Sequence, residues 1–149
     1  MKDKIEHPIS LLNSTEEAEI INAIKEAEKN TSGEIRVHIT YKENTSSFNY
    51  AKEVFNQFKL YKTEQRNAVL ILISAKERTF TILGDTGIDK VVKQEFWDSV
   101  KNNVIEKFKL GNYFDGILFS VNVVGHKLKE YFPWDNNDKN EIPDEIFYS

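Results

Sequence analysis

The residues of this 149-residue chain best suited to chemistry are carboxylates and an amide placed beside turns. Glu34 and Asn67 each stand at the head of an apolar, β-patterned run. Asp85 and Asp89 lie within Gly84-Asp85-Thr86-Gly87-Ile88-Asp89, and Asp115 follows Gly111-Asn112. Oxygen donors of this kind, with no sulfur among them, are what a hard divalent cation such as Mg²⁺ or Ca²⁺ takes. Asp85 and Asp89 bracket turn-forming residues, so both can face one ion. Each also has a plain structural role. Glu34 reads equally as an exposed strand residue, Asp85 and Asp115 as helix caps, and Asp89 as a first-turn acid favoured by the helix dipole. The metal reading therefore rests on their meeting at one place. Arg36, Arg66 and Arg78 are candidates for steadying an anion, although most exposed arginines bind none.

Other chemistries are excluded or weakly supported. The chain has no cysteine, which removes disulfides, thiolate metal sites and cysteine nucleophiles. His7, His38 and His126 show no ligand spacing, and surface or packing roles suit them better. Gly84-x-x-Gly87 lacks the Lys-Ser/Thr of a phosphate loop, and no Gly-x-Ser-x-Gly elbow occurs. Asp135 to Asp138 superficially matches a calcium loop, but the sixth position is Asn140 and the twelfth Ile146, so an EF-hand is rejected. A net charge of −4 speaks against nucleic acid as a partner. The charged first residues do not form a signal peptide, and no apolar run approaches the length of a membrane span. A cytoplasmic location is expected.

The composition, 40 % hydrophobic and 30 % charged, suits one ordinary globular domain. Ser14 with Glu17 has capping-box spacing, and Ala18, Ile21, Ile24 and Ala27, with Ile20, follow as an apolar stripe, which predicts a first helix. Ile35, Val37 and Ile39 alternate with Glu34, Arg36 and His38, a strand with one polar face. A second helix is expected around Ala51, Val54, Phe55, Phe58 and Tyr61, with these aromatics in the core. The run from Ala68 to Ile73 is apolar throughout, the mark of a central strand. A short turn leads into a strand from Thr79 to Leu83. A short helix follows at Ile88 to Val92, then a longer one carrying Trp97, Val100, Val104 and Phe108. The last helix runs from about Phe114 to Tyr131. Residues 1–11 read as an N-terminal extension, 12–132 as the domain and 133–149 as an acidic, weakly ordered tail that Trp134 and Phe147 could pin.

The expected fold is α/β, a small mixed central sheet between helices. The helical crossover makes the first two strands parallel, and the tight turn makes the third antiparallel to the second. That topology carries Glu34, Asn67 and Asp85 to Asp89 to one sheet edge, with Asp115 expected to reach the same rim.

Ser32-Gly33-Glu34-Ile35-Arg36-Val37, Arg66-Asn67-Ala68-Val69-Leu70-Ile71-Leu72-Ile73, Arg78-Thr79-Phe80 and Gly84-Asp85-Thr86-Gly87-Ile88, in this order, resemble the TPM domain. That family includes the thylakoid-lumen acid phosphatase and photosystem II repair factors, and the likeness covers about Leu12 to Phe132. It implies an α/β sandwich, divalent-cation binding near acidic loop residues and phosphatase or nucleotide phosphohydrolase activity. Carried over by position, Glu34, Asn67, Asp85, Asp89 and, more loosely, Asp115 become the metal set. Asp85, Asp89 and Arg66 become the catalytic one. The substrate class is then a phosphate ester or nucleotide, handled by a monomer. The alternative is a non-enzymatic, cation-stabilised interaction module involved in protein maintenance, because no activated nucleophile is evident.

Overall fold

The computed structural model describes residues 11–135 and 143–149. The expected N-terminal extension therefore lies outside the described residues apart from Leu11, as does the middle of the expected tail. Leu11 and Leu12 are themselves buried in the core.

Helix α1 spans Ser14–Glu28. Its capping box sits one residue earlier than Ser14 predicts. The Asn13 side chain accepts from the Glu16 N–H at 2.8 Å, and the Glu16 carboxylate accepts from the Asn13 N–H at 3.0 Å. Strand β1 (Glu34–Thr40), helix α2 (Phe48–Gln57), a 3₁₀ turn at Leu60–Lys62, and strands β2 (Ala68–Ser74) and β3 (Thr79–Gly84) follow. Helices α3 (Thr86–Asp89), α4 (Gln94–Lys109) and α5 (Tyr113–Tyr131) lead to a last strand, β4 (Ile146–Tyr148). Among the described residues no helix is long and apolar enough to cross a membrane.

The sheet order is β3-β2-β1-β4. Strand β1 pairs parallel with β2, Glu34 opposite Ala68, and β3 pairs antiparallel with β2, Gly84 opposite Val69. Alternation divides the core. Ile35, Val37, Ile39, Val69, Ile71 and Ile73 meet α1, α4 and α5 through Ile24, Val104, Val121 and Leu128. On the other face Ala68, Leu70 and Leu72 meet Ala51, Val54 and Phe55 of α2, with Leu60. Because β2 is covered on both faces, its unbroken apolar run needs no polar alternation.

Two expectations fail around β1. Its Glu34, Arg36 and His38 do share a face, but every residue of the strand is buried. The cause is the segment read as a loose tail: β4 pairs parallel with the outer edge of β1, Val37 opposite Ile146. Tyr41 N–H donates to the Ser149 carbonyl at 2.7 Å, and Ser149 N–H donates to the Ile39 carbonyl at 3.0 Å. The Tyr148 hydroxyl donates to Glu17 at 2.7 Å. Nor do Phe58 and Tyr61 sit in the core, being 39 % and 38 % exposed. Phe58 instead covers Arg36, whose guanidinium carbon lies 4.0 Å from that ring centroid and 3.3 Å from the Phe147 centroid. Burial brings the Arg36 pKa down to about 10, against the opposing pull of Glu145. Burial, with the charges of Arg36 and Lys42, brings His38 down to about 4, while its Nε2 lies 2.8 Å from the Ser149 hydroxyl.

Two outcomes follow. Phe147→Ala opens one face of a desolvated guanidinium and lowers urea-derived stability by about 2 kcal/mol; a loss within error would mean that the sandwich is incidental. For His38, the unfolded chain takes up a proton near the ordinary histidine value, but the folded chain refuses it until about pH 4. Stability conferred by the neutral ring is complete above pH ~6.5 and is lost as pH falls through that window, by at most about 1.4 kcal/mol per pH unit. The stability difference between wild type and His38→Gln, measured from pH 7 to 4, should shrink along that slope. A difference independent of pH would contradict it.

Candidate functional site

The site is built on the loop that enters β1. Thr31 closes the end of α5: its hydroxyl donates to the Leu128 carbonyl at 3.0 Å and to that of Phe132, and accepts from the Gly33 N–H at 3.0 Å. Ser32 turns the other way, its Oγ accepting from Asn67 Nδ2 at 3.1 Å and Gln65 Nε2 at 3.0 Å. Gly33 is needed for space, since a Cβ there would lie 2.6 Å from Leu128 Cδ2. Glu34 follows with 1 % of its surface exposed. Its N–H donates to the Asn67 carbonyl at 3.3 Å, joining the heads of β1 and β2.

Two further carboxyls meet Glu34. Glu28 ends α1 on the same stripe as Ile20 and Ile24, and its Oε2 accepts from the Ile35 N–H at 2.7 Å. Asp144 is delivered by the parallel approach of β4 to β1. One carboxylate oxygen from each of Glu28, Glu34 and Asp144 lies within 4.8 Å of the others. Burial pushes the Glu28 carboxyl far above the ordinary carboxylate range. Asp144 and Glu34 push the same way, against the Ile35 N–H. A buried carboxyl beside two others must hold a proton or share a cation. The group forms the floor of a cavity of about 300 Å³, with Lys25, Lys29 and Trp134 around it. Nearby, Asn67 Oδ1 is buried and accepts no hydrogen bond among the described residues. Carboxylates joined by an amide oxygen form a donor set that suits Ca²⁺ or Mg²⁺.

The residues expected to share this centre divide. Glu34 belongs to it, and Asn67 is joined to Glu34 through the backbone, its carbonyl accepting from the Glu34 N–H at 3.3 Å. Asp85 occupies the same sheet edge, where its N–H donates to the Ala68 carbonyl at 2.9 Å, but its carboxylate is engaged elsewhere. It accepts from Arg66 Nε at 2.7 Å and Nη2 at 2.9 Å, and from the Thr86 N–H at 2.7 Å, so it clamps Arg66 and caps α3. The carboxylate in turn raises the Arg66 pKa above its ordinary value. Asp89 accepts from Trp97 Nε1 at 3.2 Å, tying α3 to α4. Gly87 completes this latch: its N–H donates to the Arg66 carbonyl at 2.8 Å, and a Cβ would lie 2.0 Å from the Gln65 carbonyl oxygen. Asp115 is not on this rim. Tyr113, at the start of α5, takes a 2.8 Å hydrogen bond from Arg78, which immediately precedes β3. Because α5 ends over Thr31, its exposed Asp115 stands at the opposite end of the sheet.

Glu28 and Asp144 escaped the sequence reading. Glu28 was legible in principle, as a carboxylate at the third step of the Ile20, Ile24 stripe. Asp144 had only the β-prone Ile146-Phe147-Tyr148 beside it.

The comparisons with known proteins agree with this architecture. A family model described as the TPM domain matches residues 7–127. The BA42 protein of the psychrophilic bacterium Bizionia argentinensis, solved by NMR, is 39 % identical, with a TM-score of 0.87 over 96 % of this chain and 99 % of that one. The N-terminal domain of a protein from P. gingivalis superposes with a TM-score of 0.68 at 16 % identity, over 84 % of this chain and 81 % of that one. An N-terminal domain from Corynebacterium glutamicum gives 0.55 at 14 % identity, over 86 % of each chain. These two share the fold. No curated protein matches the sequence. With a family model matching most of its length, this chain belongs to the TPM domain family.

Proposed function

We propose that the domain binds a divalent cation through Glu28, Glu34 and Asp144, with Asn67 Oδ1 as a further oxygen donor, and slowly hydrolyses phosphate esters or nucleotide phosphoanhydrides there. The observation that carries this reading is the meeting of three carboxyl groups on a cavity floor, two of them buried. When bound, the cation would polarise a phosphoryl oxygen and cancel the negative field that otherwise repels a polyanion. The chain's own residues do the rest. The Glu28 carboxyl releases its proton as the cation enters. Lys25 brings positive charge to the mouth, where the other phosphate oxygens would lie, Lys29 beside it is paired with Glu26 at 3.2 Å, and Trp134 supplies an apolar wall. The Arg66–Asp85 pair holds the neighbouring part of the rim in shape. A second reading, the cation-stabilised interaction module, is favoured by one observation. The Thr31 and Ser32 hydroxyls lining the cavity are both engaged in hydrogen bonds, so neither stands ready as a nucleophile.

Cation binding has a clear signature. Ca²⁺ or Mg²⁺ at a hundredfold excess over Kd stabilises the native chain by about 2.7 kcal/mol relative to chelator. The rise in Tm should be larger at pH 8 than at pH 5, because protons compete for the same carboxylates. Glu28→Gln should raise the Tm in chelator, since it removes a buried ionisable carboxyl, and abolish the rise with cation. Asp85→Asn should lower the Tm and leave the rise intact. The reverse pattern would place the ion at Asp85.

Hydrolysis is tested with ATP and p-nitrophenyl phosphate. Turnover should vanish with chelator and fall at least tenfold, about 1.4 kcal/mol in barrier, in Glu34→Gln and Asp144→Asn. Asp115→Asn should match wild type. If the Tm responses hold while all variants hydrolyse equally, the activity belongs to a contaminant and the interaction module is the better reading.

A further inference from the structure

The edge of the sheet away from β4 ends in β3, and a groove of about 960 Å³ runs beside it. Thr79, Phe80, Thr81 and Ile82 all line this groove. Consecutive strand residues point to opposite faces, so a groove that touches each of them follows the strand's edge rather than a face. Alternate residues of a terminal strand turn their N–H and C=O groups outward, and among the described residues no strand pairs with this edge. The opposite wall is one face of α4. Trp97, Lys101, Ile105 and Phe108 recur at three- to four-residue steps along it. Strand and helix wall are each about 20 Å long at their usual rises. An open strand edge facing a parallel helix wall is the shape that admits one extended chain.

Charge selects the occupant. The groove carries Arg78 and Lys101 against Asp98, with Lys109 paired to Glu106 at 3.4 Å, which leaves a positive lining in a chain whose net charge is −4. The Asp98 carboxylate is already engaged by the Gln94 amide at 3.0 Å. Near Arg78, Phe48 and Leu110 remain 49 % and 77 % exposed, which adds apolar surface at that end. A second copy is disfavoured as occupant, because edge-to-edge pairing would bring together two grooves of the same positive lining. We infer that the groove binds an acidic segment of a partner protein, taken up in extended form as an additional strand on β3. This site is separate from the cation cavity.

The test uses the whole chain and a fluorescein-labelled ten-residue peptide alternating Glu with Val and Thr. Three measurements are expected to agree. The peptide should bind in a saturable way, with amide resonance shifts confined to β3 and α4. Its Lys-for-Glu counterpart, and an otherwise identical peptide with alternate amides N-methylated, should each bind about tenfold more weakly or worse. Lys101→Glu and Arg78→Glu should each weaken the acidic peptide by several-fold at low salt without lowering the Tm, whereas Glu34→Gln should bind it as wild type does. Equal binding of acidic and basic peptides, or of methylated and unmethylated ones, overturns the proposal. So do shifts that fall outside β3 and α4, or a concentration-dependent dimer that the Arg78→Glu variant strengthens.

Discussion

Three carboxyl groups held within 4.8 Å of one another, two of them buried, constitute the constraint around which the β1 end of the molecule is organised. Removing a lone carboxylate from water costs several kcal/mol, and adding like charges beside it raises that cost. The arrangement persists only if the surrounding covalent and packed structure leaves the groups no alternative. Four elements supply that insistence. The apolar stripe of α1 carries Glu28 inward, and the β1–β2 pairing fixes Glu34. Hydrogen bonds from Thr31 pin the entering loop to the end of α5, and β4 brings Asp144 alongside. Folding energy drawn from the whole core is thus used to hold acids together, and burial with the neighbouring carboxyls keeps Glu28 protonated far above the ordinary carboxylate range.

The other half of the same edge shows how similar residue types serve a different end. Asp85 is a carboxylate nearly as buried as Glu34, yet its lone pairs are consumed by the Arg66 fork and by the first N–H of α3. Charge is balanced locally, and nothing in its surroundings asks for an ion. The Gly84-Asp85-Thr86-Gly87 turn is therefore explained by mechanics. Gly87 lets the Gln65–Arg66 backbone come within contact of α3, and Asp85 then clamps Arg66, which sits at a left-handed φ of 53°. A turn with this many demands looks catalytic in a sequence because catalysis and tight backbone contact select the same small and acidic residues.

What could be read from the sequence followed from local physics. The unbroken apolar run of β2, the alternation of β1 and the tight turn into β3 fix the pairing of those three strands, so the shared edge was legible with Glu34, Asn67 and Asp85 upon it. The misses all required knowledge of what covers what. β4 is three residues long, and no local pattern announces a partner more than a hundred positions away. Without it, Arg36 and His38 read as a solvated face, and Asp144 as part of a tail. Glu28 does not read as a core residue because it is a charged side chain at the end of an apolar stripe, although it is buried with Ile20 and Ile24. Asp115 was misplaced because the direction of α5 across the sheet depends on which end of it meets Arg78.

The two edges of the sheet also solve an old problem in opposite ways. An exposed strand edge invites pairing with any other chain, and proteins blunt it by covering, shortening or charging it. On the β1 side β4 occupies the ladder, the cation–π sandwich of Phe58, Arg36 and Phe147 weights it down, and the edge that β4 itself presents is only three residues long. At the β3 edge no strand covers the ladder among the described residues. The chain relies there on a six-residue strand, on the wall of α4, and on Arg78 and Lys101 at the rim. A three-residue edge offers too short a ladder to any partner, whereas charge excludes only those of like sign. An edge protected by cations rejects its own copy and basic chains but stays open to an acidic one, so the same device that prevents indiscriminate pairing leaves the groove selective.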